Sequence, residues 1–133
     1  MSLSFHLDFN GQCEEAFHFY AEHLGAQIGT LLRGRDLPGA AVAGPDGRRI
    51  VHANLRIDGV ELAGADAAPD QYERPRGCYV LLGVDSEEKV RAYFDALAAG
   101  GEVVLAPQAT FWSPCYAIVV DRFGVPWKLN CVT

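Results

Sequence analysis

The sequence predicts an α+β fold made of two βαβββ units, and three observations carry that prediction. Two segments with helical periodicity superpose on each other: Glu14-Glu15-Ala16-Phe17-His18-Phe19-Tyr20 over Glu87-Glu88-Lys89-Val90-Arg91-Ala92-Tyr93 aligns both acid pairs and both tyrosines, and then Leu24 with Leu97. Each of these segments follows a run with strand character. Each is followed by further strand and a hairpin signal, Asp58-Gly59 in the first half and Asp121-Arg122-Phe123-Gly124 in the second. A unit of this size cannot cover its own sheet. Residues 1–66 and 77–133 are therefore expected to pack as two units of one domain, with a curled mixed sheet around a common cavity.

Taken in order, Leu3 to Phe9 alternates as a strand, with Phe5, Leu7 and Phe9 on one face and His6 and Asp8 on the other. Asn10-Gly11 ends it. Cys13, Ala16, Phe17, Tyr20, Ala21 and Leu24 then recur at helical spacing, with an Asn cap and acids in the first turn, and Gly25 stops the helix. Ile28 to Leu32 reads as a strand. Gly34 to Arg49, rich in Gly, Pro and Ala, reads as a long mobile connection, the kind of segment that can cover a site. Ile50 to Ile57 and Val60 to Ala63 flank the Asp58-Gly59 turn, and the polar stretch Ala65 to Arg76 links the halves. Cys78 to Val84 is a strand. Asp85 and Glu88 have capping-box spacing ahead of a helical stripe of Val90, Tyr93, Phe94 and Leu97, which ends at Gly100-Gly101. Val103 to Leu105 is a short strand and Pro107 to Pro114 a loop. Tyr116 to Val120 and Trp127 to Asn130 form the closing hairpin, turned at Gly124. Pro126 lacks a ladder N–H, so the last strand is expected to be an edge or to begin there.

The chain has 133 residues, half of them hydrophobic, enough for a full core. Its net charge is −6 and it has no basic run, which argues against nucleic acid or an anionic membrane as partner. No stretch approaches the roughly 18 apolar residues of a membrane span, and the N-terminus has no leader pattern, so a cytoplasmic protein is expected. Cys13, Cys78, Cys115 and Cys131 are far apart and form no CxxC pair, which predicts free thiols.

The tandem βαβββ order resembles the vicinal oxygen chelate superfamily, which includes glyoxalase I, fosfomycin and bleomycin resistance proteins and extradiol dioxygenases. The runs FNGQCEEAFHFY, LAAGGEVV, TFWSPCYA and DRFGVPWKLNC resemble its PhnB-like subgroup. Metal enzymes of the superfamily carry one His, Gln or Glu on each of four strands. The resemblance puts Phe5, Ala63 or Gly64, Tyr79 and Lys128 at those places, none of them a usual ligand for a divalent cation. His6 and Glu61 lie close by, but His6 is on the opposite strand face from Phe5. PhnB-like proteins are often labelled methyltransferases, yet no strand, GxGxxG and helix occur in succession here.

The expected cavity lining is Phe5, Leu7, Phe9, Tyr79, Leu81, Phe111, Trp112, Lys128 and Asn130. Its aromatic wall, single cation and amide suit a flat or apolar anionic molecule. The function expected is a metal-free binding protein with no cofactor, taking one small molecule and paired as a homodimer. The alternative is a metal-dependent lyase or dioxygenase of the same superfamily, and the sequence leaves open whether any reaction is catalysed.

Overall fold

A computed structural model describes residues 1–36 and 47–132, and the chain divides into two compact units, Met1–Glu73 and Arg74–Thr133. In the first unit the order is β1 (Phe5–Phe9), α1 (Cys13–Leu24), β2 (Gln27–Arg33), a 3-10 turn (Gly34–Asp36), β3 (Ile50–Ile57) and β4 (Val60–Asp66). In the second it is β5 (Val80–Val84), α2 (Glu87–Ala98), β6 (Glu102–Gln108), β7 (Tyr116–Val120) and β8 (Pro126–Cys131). The sheets are ordered β1-β4-β3-β2 and β5-β8-β7-β6, so the two units share one topology, as the superposed helices predicted. In each sheet the first strand pairs parallel with the last, and the other pairs are antiparallel.

In the first unit α1 packs on the sheet through Cys13, Ala16, Phe17, Tyr20 and Leu24, all buried. Phe9 meets Phe17 edge to face, with ring centroids 5.9 Å apart, and Leu7 is also buried. Leu7 is in register with Gly64, where a Cβ would stand 2.8 Å from Phe17 Cζ and 3.3 Å from Cys13 Sγ. Gly64 thus lets the helix sit close to the sheet. The cap of α1 differs from the expected Asn. Gln12 holds that position without a side-chain bond, and Asp66, at the end of β4, reaches across. Its Oδ1 accepts from Cys13 N at 2.9 Å and its Oδ2 from Ile50 N at 3.0 Å. A capping carboxylate from a distant strand has no local sequence signal. Gly25 ends the helix in the left-handed region, as expected.

Part of the connection expected from Gly34 to Arg49 lies outside the described residues. At its two ends Gly34 N donates to Arg49 O at 3.0 Å and Arg35 N to Gly47 O at 3.1 Å.

In the second unit the helix cap is Ser86 and not Asp85: Ser86 Oγ accepts from Lys89 N at 3.1 Å, because Ser86 is the last extended residue before the helix. The strand after α2 runs to Gln108, longer than expected. The closing hairpin is organised by Asp121, which is buried. Its Oδ1 accepts from Phe123 N at 2.9 Å and Val125 N at 3.0 Å, and its Oδ2 from Trp127 Nε1 at 2.9 Å. Gly124, with φ 87°, supplies the left-handed residue of the turn. Of the two roles offered to Pro126, the structure takes the second. β8 begins at Pro126 but lies between β5 and β7, so it is an internal strand and not an edge.

Candidate ligand-binding face

Alternation along β8 divides the second sheet. Trp127, Leu129 and Cys131 are buried. α2 packs against both β7 and β8, so the buried side of β8 is the helix side. Lys128 and Asn130 therefore project from the face turned away from α2. Lys128 is in register with Leu81 on one side and Ile118 on the other, and Asn130 pairs with Tyr116. Tyr79 continues the β5 alternation onto this face, and Lys128 Nζ stands 4.4 Å from its ring centroid, a cation–π contact.

The turn after β6 adds two more rings. Thr110 N donates to Ser113 O at 2.9 Å, which puts Phe111 and Trp112 at the tip. Ser113 anchors the turn, its buried hydroxyl donating to Cys115 O at 3.0 Å and lying 3.3 Å from Cys131 O. Trp112 meets Phe111 and Tyr116 edge to face, at 4.7 and 5.4 Å between centroids. Phe111 is 96% exposed and Leu81 62%. Asn130 Oδ1 is buried and has no hydrogen-bond partner among the described residues.

Of the nine residues predicted to line a cavity, the structure brings Tyr79, Leu81, Lys128 and Asn130 onto one face, with Phe111 and Trp112 on the turn joined to it through Tyr116. Leu7 and Phe9 belong instead to the core beneath α1, and Phe5, 38% exposed, shares their strand face. The prediction turned the first strand the wrong way, because alternation finds two faces without saying which one the helix covers. The face of β1 turned away from α1 carries His6 and Asp8, joined by a hydrogen bond of 2.9 Å. Tyr116 and Ile118, read only as strand residues, also belong to the second unit's face.

The four strands that carry metal ligands in the superfamily present a poor donor set here. His6 faces away from α1, but its in-register neighbour on β4 is Ala63, and the second unit offers Leu81 beside Lys128. Among the described residues no three of His, Cys, Asp and Glu come together to hold a metal ion. The residues present do not fit a divalent cation.

Two βαβββ units of one topology define an α+β fold of the glyoxalase/bleomycin resistance type. The chain matches the model of the glyoxalase/bleomycin resistance protein/dioxygenase superfamily over residues 6–129, and it belongs to that superfamily. It is 35% identical to protein YjdN of Escherichia coli, over 99% of this chain and 96% of that protein. Protein PA1353 from Pseudomonas aeruginosa superposes with a TM-score of 0.89 at 37% identity, over 98% of this chain and 97% of that one. The PhnB protein from Bacillus cereus gives a TM-score of 0.85 at 20% identity, over 99% and 100%, a likeness of fold.

Proposed function

We propose that this PhnB-like protein binds a small apolar or aromatic anion on the face of the second unit, without a metal ion. The observation that carries the reading is Lys128 Nζ held over the Tyr79 ring among Leu81, Ile118 and Tyr116. An ammonium beside exposed apolar surface offers a charge contact where ring area is also available, the combination that an aromatic carboxylate uses on both counts. Asn130 Oδ1 supports the same reading, since a buried acceptor left unpaired costs about 1–3 kcal/mol and a donor on the ligand would relieve it. Replacement of metal ligands by Lys128 and apolar side chains supports binding in place of metal-assisted lysis or oxygenation.

The test is titration of the protein with benzoate and 1-naphthoate. Naphthoate should bind more tightly, and Lys128→Met, which keeps the stem and removes the charge, should weaken both by about ten- to a hundredfold. Equal affinities of wild type and variant, at low and at high salt, would remove Lys128 from the site. The reading includes a homodimer, supported by the exposed Leu32 and Val103 on the edge strands β2 and β6. Sedimentation should give twice the 14.4 kDa chain mass at micromolar concentration, and the monomer mass would refute the pairing.

A further inference from the structure

A cavity of about 300 Å³ opens at the Pro126 end of the same face, entirely within the second unit. Tyr79, Val120 and Pro126 line it together with Arg74, Arg76 and Glu102. We propose that this cavity binds a phosphate monoester, the two guanidinium groups taking the phosphate and the apolar wall taking the carbon body. The proposal deepens the reading given above and rests on it only for the part played by Lys128. The cavity stands on its own residues.

Charge is the first argument. Arg74 and Glu102 pair at 3.5 Å, but their side chains are 55% and 68% exposed, and an ion pair so open to water contributes little. Arg74 can exchange that carboxylate for a phosphate at small cost. Among the described residues Arg76 makes no ion pair, and its guanidinium is the uncommitted donor of the cavity. Lys128 adds a third cation, joined to the cavity through Tyr79, which touches both. Three cations against one carboxylate leave two uncompensated positive charges, in a chain whose net charge is −6. That surplus matches the nearly twofold negative charge of a phosphate monoester at neutral pH and exceeds what one carboxylate neutralises.

Geometry is the second argument. Pro75 stands between the two arginines, its ring fixing its own φ and restricting Arg74 before it, so part of the backbone order a ligand needs is already present. Guanidinium groups present paired N–H donors that match phosphate oxygens two at a time. The volume is at the small end of the range for ligand pockets, room for one ring and its head group.

The experiment is calorimetric titration of the full chain and its variants with phenyl phosphate, inorganic phosphate and benzoate. Phenyl phosphate should bind wild type more tightly than either of the others. Arg76→Gln should weaken phenyl phosphate by about tenfold while changing benzoate by less than about twofold, and Arg76→Lys should restore part of the loss. Arg76 is exposed, so the melting temperature of these variants should equal that of wild type. Phenyl phosphate binding no tighter than benzoate, or unaffected by Arg76→Gln, overturns the proposal, and a benzoate loss in Lys128→Met would then leave the aromatic-anion reading standing. The converse pattern, with phenyl phosphate weakened by Arg76→Gln and both ligands indifferent to Lys128→Met, supports the cavity and overturns the role of Lys128. Inorganic phosphate as tight as phenyl phosphate overturns the assignment to an ester.

Discussion

Cys13 shows how much one residue's surroundings decide. It is fully buried at the start of α1, its backbone N–H bonded to Asp66. Burial pushes its thiol well above the ordinary value of 9.0, and the Asp66 carboxylate pushes it further the same way. The folded chain therefore keeps this proton where the unfolded chain loses it. Stability from this group is complete below pH 9.0 and falls as pH rises beyond it. Denaturant titrations between pH 8 and 11 should show a slope approaching about 1.4 kcal/mol per pH unit from this one proton, and Cys13→Ala should remove that share. An unchanged slope in the variant would place the loss elsewhere. Such a residue is legible from sequence only in part. The periodicity of Cys13, Ala16 and Phe17 reveals a buried thiol, but nothing near it in sequence announces Asp66, which lies 53 residues away.

At the level of elements, the Asp121 hairpin is the most constrained piece of the second unit. One carboxylate holds two backbone N–H groups of its own turn and the indole N–H of Trp127 in the next strand. Removing it strands three donors in a buried place, so Asp121→Ala should destabilise by about 3 kcal/mol or more, measured by urea unfolding. A loss under 1 kcal/mol would mean that water replaces the carboxylate. The turn itself is readable because Asp and Gly occupy it, and strands and helices are readable because their periods differ. What sequence cannot supply is which strand face a helix will cover. That choice sent Leu7 and Phe9 to the wrong side and hid His6 and Asp8. The position of β8 between β5 and β7 was hidden for a related reason, since Pro126 permits a central strand when it is the first residue.

For the molecule as a whole, the repeat is the most legible property, because superposing the two acid pairs and two tyrosines is independent of any boundary. The face of the second unit is half legible: Lys128, Tyr79, Leu81 and Asn130 follow from parity along two strands, whereas Arg74 and Arg76 fall in a stretch that composition marks only as linker. Asymmetry between the two tryptophans carries a practical consequence. Trp127 is wholly buried with its indole N–H bonded to a carboxylate, and Trp112 stands on an exposed turn against Tyr116. The native chain should accordingly emit as two populations, a shielded one that iodide does not quench and an accessible one that it does. An aromatic ligand on the proposed face should protect the accessible population alone, whereas denaturant should open the shielded one. The chain thus contains its own pair of optical reporters, one for occupancy and one for folding.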